Sequence, residues 1–131
     1  MLLKYAAKRK ITVVATLHDC WFYTGGCSHY TSVECDKWLK ECGKCPRRYQ
    51  ETAAYLWDDS SQILADRKKL FGSIANLVGV GVSNWIAEEA HKTVFKNAKC
   101  LTIYNGIDTE YFHPVESDFR KKYNLEGKKI I

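Results

Sequence analysis

Long apolar runs are missing from this sequence. No uninterrupted stretch approaches the roughly 20 residues that a membrane-spanning helix needs. The apolar start, residues 1–7, is broken by Lys4 and followed by the basic residues 8–10, so it is too short for the core of a secretory signal peptide. We therefore expect a cytoplasmic chain, in which cysteines are more often thiols or metal ligands than disulfides.

A basic stripe interleaved with aromatic residues is also missing, which argues against nucleic-acid binding. The formal net charge of +5 comes from short basic clusters at helical spacing, and these predict solvated helix faces. A second interpretation of this charge is attraction to an anionic lipid surface or to a phosphorylated substrate. With 46% hydrophobic and 13% aromatic residues among 131, the chain has enough apolar surface for one domain with a core.

The first predicted strand leads directly to a candidate site. Residues 11–17 form a β-branched apolar run without polar alternation, which is typical of a strand covered on both faces of a parallel sheet. The run ends on His18 and Asp19. Because ligands bind at the carboxyl edge of open α/β sheets, these two residues are the candidate catalytic residues.

Helices and strands then alternate along the chain. We predict helices near 60–76 and 84–96 and strands near 78–82 and 100–104. Asp59 and Ser83 are the expected N-caps of the two helices. This rhythm predicts βαβ units and a parallel sheet with helices packed on both sides of it, hence a three-layer α/β fold.

Both ends of the chain are unusual for an intact α/β domain. Residues 2–9 have the pattern of a helix that feeds at once into a central-type strand. Residues 116–123 read as a short basic helix or linker, and residues 127–131 as the start of a further strand. We therefore expect the chain to be part of a larger fold.

A long irregular region, residues 18–59, holds five of the six cysteines. Four of them have spacings that suit a structural zinc site of thiolates, with a tight turn between the last two: Cys27, Cys35, Cys42 and Cys45. Ordinary half-buried thiols, one disulfide, or His29 in place of one thiol remain open alternatives. A redox role is disfavoured because no strand leads into the final CxxC. Cys20 and Cys100 adjoin strands and are expected in the core.

Several motifs together resemble a known family. They are residues 16–21, residues 24–25, the cysteine run with Trp38 and Pro46, residues 82–85, and residues 105–108 followed by Phe112 and Pro114. In this order and over nearly the whole chain they resemble the retaining GT-B glycosyltransferases of family 4, especially bacterial enzymes that build cell-surface polysaccharides. Gly79 and Gly81 depart from the pattern, since bulkier residues are expected in that strand.

The resemblance implies two Rossmann-like domains facing each other across a cleft. Residues 1–115 would be part of the acceptor-side domain, with a cysteine-rich insertion at 18–59. Residues 116–131 would be a linker and the start of a missing donor-side domain. The implied reaction moves a sugar, with retention and without a catalytic metal, from a nucleotide-sugar donor to a growing lipid-linked glycan at the inner face of the membrane. This chain alone would then be inactive.

The resemblance also suggests which residues touch the substrates. It places His18 near the reacting sugar. Asp19 ranks second, as an orienting partner for His18 or for the loop. The candidate substrate-binding residues are Thr24, Gly25, Ser83, Asn105 and Gly106. The alternative function is a small, metal-stapled, cysteine-rich binding module without catalytic activity. The alternation of strands and helices and the polar pair at a strand end favour the enzyme.

Overall fold

The computed structural model describes residues 2–51 and 56–130. The helices are α1 (Leu2–Arg9), α2 (Arg48–Glu51), α3 (Ser60–Gly72), α4 (Asn84–His91) and α5 (Phe119–Lys122). The strands are β1 (Val13–Leu17), β2 (Leu77–Gly81) and β3 (Lys99–Thr102). Short 3₁₀ turns at Trp21–Tyr23, Tyr30–Val33 and Lys37–Leu39 give the cysteine-rich region its only other regular structure in the described residues.

The three strands form one parallel sheet in the order β1-β2-β3. The register pairs Leu17 with Gly81 and Gly81 with Thr102, so the three carboxyl ends lie side by side. The predicted α/β class and parallel pairing are confirmed. Parallel neighbours also explain why helical segments separate the strands, because a parallel connection must cross from one end of the sheet to the other.

Both long helices are shorter than predicted. α4 ends at His91 rather than near residue 96, and tighter turns follow, in which the N–H of Thr93 bonds to the carbonyl of Ala90 at 3.3 Å and that of Lys96 bonds to the carbonyl of Thr93 at 3.2 Å. These turns direct Phe95 and Ala98 into the core. α3 ends at Gly72, where the chain turns so that Ile74 is buried. Core packing therefore overrides helix periodicity at both ends.

The core lies on one face of the sheet. Leu17 and Leu77 belong to the core cluster, and Ala15 packs against it, whereas Val14 on the opposite face is 61% exposed. The expectation that residues 11–17 are covered on both faces is not met by β1 in the described chain, where Val14 and Thr16 are exposed, although Val80 on the same face of β2 is only 7% exposed. The alternating burial along β1 is the pattern of a strand with one solvated face.

Two further expectations need correction. Residues 128–130 are not a strand. The side chain of Asp59 makes no capping hydrogen bond, and the neighbouring Asp58 accepts the N–H of Ser60 at 3.0 Å instead. Ser83 does cap α4 as predicted, because its hydroxyl accepts the N–H of Ile86 at 3.3 Å.

The two glycines of β2 allow helix α4 and the segment after it to approach the sheet closely. A Cβ on Gly81 would lie 2.6 Å from the backbone nitrogen of Ala87 in α4. A Cβ on Gly79 would lie 3.2 Å from the ring of Phe95 and 3.3 Å from the sulfur of Cys100. The predicted close approach is thus made by protein groups, and it explains the absence of bulkier residues in this strand.

We expect Gly81→Ala to lower the free energy of unfolding by about 1–3 kcal/mol, because the added methyl group meets helix backbone that cannot rotate away. Gly72→Ala is the matched control: nothing lies within 4 Å of its Cβ position. The control should change stability by no more than about 1 kcal/mol, toward greater stability. Chemical denaturation of both variants measures the difference, and equal midpoints would contradict the packing described here.

Candidate functional site

The carboxyl edge of the sheet presents three loops next to one another. They begin at His18 after β1, at Val82 after β2 and at Ile103 after β3. Strand pairing continues to this edge, because Val82 donates its N–H to the carbonyl of Leu17 at 3.2 Å and Ile103 donates to Gly81 at 3.0 Å. The first residue of each loop therefore starts from a fixed backbone.

His18 is exposed at this edge, directly after the fully buried Leu17. Asp19 is half-buried, and its carboxylate accepts the backbone N–H of Trp21 at 2.7 Å. The aspartate therefore shapes the turn that follows the strand. Its predicted orienting role toward His18, and the contact of either residue with a substrate, stay predictions.

Thr24 and Gly25 lie inside the loop rather than on its surface. The hydroxyl of Thr24, which is 0% exposed, donates to the carbonyl of Cys27 at 2.7 Å and accepts its N–H at 2.9 Å. A Cβ on Gly25 would lie 2.3 Å from the carbonyl oxygen of Ser60. Thr24 closes the turn to Cys27, Gly25 lets the loop lie against the start of α3, and the substrate contacts of both residues stay predictions.

The remaining predicted substrate-binding residues lie on the other two loops. The hydroxyl of Ser83 is already used to cap α4. Asn105 and Gly106 are exposed in the extended segment after β3. This segment ends in a turn in which the carboxylate of Asp108 accepts the N–H groups of Glu110 and Tyr111, at 3.0 and 3.1 Å, so the Asn-Gly pair does not form a hairpin.

Arg67 is a key residue of the site that sequence reasoning missed. From α3 its guanidinium donates to the carbonyl of Thr24 at 2.7 Å and also to the carbonyl of Trp21. It lies over the ring of Trp21, 3.7 Å from the ring centroid. Burial lowers the pKa of Arg67 to about 10, so it remains a cation at neutral pH. One side chain therefore anchors the first strand-end loop to the helix.

The sequence carries only a weak signal for this role. Arg67 belongs to the basic cluster of residues 67–69, which reads as a solvated helix face. Arg67 is half-buried and Lys69 is exposed. The sequence does not distinguish them, because it does not show which face of α3 lies toward the loop.

The four predicted metal-ligating cysteines line one small cavity, which we call the cysteine cavity. Its volume is about 20 Å³, and its walls include Cys27, Cys35, Cys42, Cys45, Trp38 and Arg47. All four cysteines are free and half-buried. Burial raises the pKa of the Cys27 thiol to about 11 and also raises that of Cys42.

Two carboxylates tie segments of the cysteine-rich region to one another, and one of them also reaches the start of α3. Glu51 accepts the N–H and hydroxyl of Ser28, at 3.1 and 2.5 Å, and pairs with Arg47 at 2.6 Å. Asp58 accepts the N–H of Cys45 at 2.6 Å while it caps α3. Burial alone would raise both carboxyl pKa values, but these hydrogen bonds outweigh it and lower the pKa of each group.

The geometry defines an α/β domain that presents polar side chains at the carboxyl edge of a parallel sheet. The chain is 31% identical over 103 residues to the Escherichia coli (strain K12) protein "Putative colanic acid biosynthesis glycosyl transferase WcaC". The match covers 77% of this chain and 24% of that protein, so the chain spans about a quarter of the length of the curated relative it matches. This similarity supports a relationship to a glycosyltransferase.

No protein-family model and no solved structure matches the chain. Within residues 2–51 and 56–130, no helix has the length and apolar character needed to span a bilayer.

We expect Arg67→Met to loosen the first strand-end loop, because it keeps the apolar stem but removes the cation and both carbonyl contacts. The free energy of unfolding should fall by about 1–3 kcal/mol. Amide hydrogen exchange across residues 20–27 should become faster. Lys69→Met, which is exposed on the same helix, is the control. Unchanged exchange in Arg67→Met would rule out the anchoring role.

Proposed function

We propose that this chain is the acceptor-side part of a retaining GT-B glycosyltransferase of family 4. The single observation that carries the proposal is the 31% identity over 103 residues to a protein whose name describes a glycosyl transferase of colanic acid biosynthesis. The parallel sheet with an exposed polar edge is consistent with it, because ligands bind at that edge in open α/β folds.

The proposed reaction is transfer of a sugar from a nucleotide-sugar donor to a growing, lipid-linked surface glycan. The donor would be held mainly by a second domain that residues 116–131 lead into. The acceptor would approach the three strand-end loops. The net charge of +5 would favour a position beside the anionic inner face of the membrane. No catalytic metal is needed in this proposal.

His18 is the proposed catalytic residue. The strand behind it is fixed by pairing with β2 up to Leu17, and its ring is exposed at the edge where an acceptor would lie. Near neutral pH an imidazole can donate or accept a hydrogen bond, which suits contact with sugar hydroxyls whose protons shift during transfer. Asp19 would act indirectly, because its carboxylate holds the turn that begins with His18.

We expect the chain alone to bind nucleotide sugars weakly or not at all, because the proposal places the donor-binding groups outside it. Calorimetric titration with a panel of UDP- and GDP-sugars measures this. Micromolar binding would show that the donor site is in this chain, and would overturn the division into acceptor-side and donor-side parts without excluding a glycosyltransferase.

In a polypeptide that joins this chain to its donor-side domain, we expect His18→Ala to lower kcat/KM by roughly two to three orders of magnitude. This corresponds to a loss of about 2–4 kcal/mol of transition-state stabilisation. His91→Ala is the control, since His91 is exposed at the end of α4 and does not follow a strand.

Two measurements interpret the His18 result. Circular dichroism and thermal unfolding of His18→Ala should match the unsubstituted protein, because the side chain is exposed and makes no contribution to the core. Unchanged turnover would rule out the catalytic role of His18. A loss of activity that follows a loss of folded protein would rule it out as well.

A further inference from the structure

The cysteine cavity brings four thiols, separated by up to 18 residues in sequence, around one small space. Its volume of about 20 Å³ is room for about one water-sized species. The same space is bordered by apolar groups, including Val33 and Trp38. A space of this size that is lined by four cysteines suits a single small ion.

Hydrogen-bond donors lie around the sulfurs, although burial outweighs them and raises the pKa of the Cys27 and Cys42 thiols. The backbone N–H of Gly25 bonds to the sulfur of Cys42, and that of His29 bonds to the sulfur of Cys27. Two more donors in the cavity wall, Nε1 of Trp38 and Nε of Arg47, are buried without a hydrogen-bond partner in the described structure. Buried donors of this kind ordinarily have an acceptor, and a thiolate sulfur is one.

Cations next to the cavity can balance a cluster of thiolates. Arg47 lies in the cavity wall, where its guanidinium is paired with Glu51 at 2.6 Å, and the positive charge of Lys68 in α3 opposes the rise in the pKa of the Cys42 thiol. Lys37 also lines the cavity, where it donates to the carbonyls of Gly43 and Lys44 at 3.1 and 3.2 Å. One divalent ion with four thiolates carries a net charge of −2, and these side chains supply opposite charge.

The backbone already holds the last two cysteines in a tight turn. Gly43 has φ of 135°, in the region that favours glycine, and Lys44 has φ of 45°. The N–H of Cys45 is fixed to the carboxylate of Asp58 at 2.6 Å. The turn that brings the two thiols together is therefore formed by protein contacts alone.

We propose that the four cysteines of this cavity bind one Zn²⁺ as thiolates in a closed, tetrahedral, structural site. Four soft sulfur ligands select zinc over hard cations, and a fully protein-ligated site leaves no open position for catalysis. Each thiol loses its proton to solvent when it binds the ion. As placed, no three Cys, His, Asp or Glu side chains of the described chain are arranged as metal ligands, so binding requires the thiols to rotate toward the cavity centre.

The zinc site would set the position of the first strand-end loop. The backbone of Cys27 is hydrogen-bonded to the hydroxyl of Thr24, and Arg67 donates to the carbonyls of Thr24 and Trp21. The ion would therefore link the loop that follows His18 to the turn fixed on α3 by Asp58. This inference concerns the fold of the loop and does not depend on sugar transfer.

The test is metal analysis of the chain purified without chelator, together with variants. We expect one zinc per chain in the unsubstituted protein and in Cys100→Ser, which alters a cysteine outside the cavity. Cys35→Ser and Cys42→Ser should each lower the zinc content to below a tenth of that value. Cobalt substitution of the unsubstituted chain gives a second readout that needs no folded variant, since tetrahedral thiolate ligation produces intense visible absorption.

Three results would overturn the proposal. One is a chain without stoichiometric metal whose thiols all react with a thiol reagent before any chelator is added. Another is one or two disulfides among the four cysteines, identified by mass spectrometry of peptides. The last is zinc that is retained equally in Cys35→Ser, Cys42→Ser and Cys100→Ser.

Discussion

The contact between Arg67 and the first strand-end loop is the interaction on which the candidate site depends. A loop that leaves a buried strand must satisfy its carbonyl groups, and those of Trp21 and Thr24 meet one guanidinium. The same guanidinium lies over an indole ring, where its charge is attracted to the face of the ring. Helix α3 thereby adds a polar anchor to a loop whose Cys20 and Tyr23 are already buried in the core.

In the cysteine-rich region, side chains also satisfy the hydrogen bonds of the loop backbone. It has little regular structure, so its backbone groups need partners from side chains. Glu51 provides them for Ser28, and Asp58 provides them for Cys45 and Ser60. Each carboxylate bridges two segments that are distant in sequence, and the ring pairs of Trp38 with Tyr23 and Tyr30 fill the space between them.

The core on one face of the sheet gives the molecule two different surfaces. One face packs against the helices through Leu17 and Leu77, while the other presents Val14 and Leu101 to solvent. The strand ends lie at the edge of the sheet rather than on its packed face. The candidate site is therefore exposed to solvent, whereas the neighbouring core residue Leu17 is fully buried.

The sequence by itself determined the parallel α/β architecture, because the alternation of apolar runs and helical periodicity is a local property. It also determined the cap at Ser83 and the position of His18 at a strand end. Only the tertiary structure decided the one-sided core, the early end of α4 at His91 and the anchoring by Arg67. Each of these depends on which face of an element meets another, and that information is absent from any local pattern because the contacts join residues far apart in the chain.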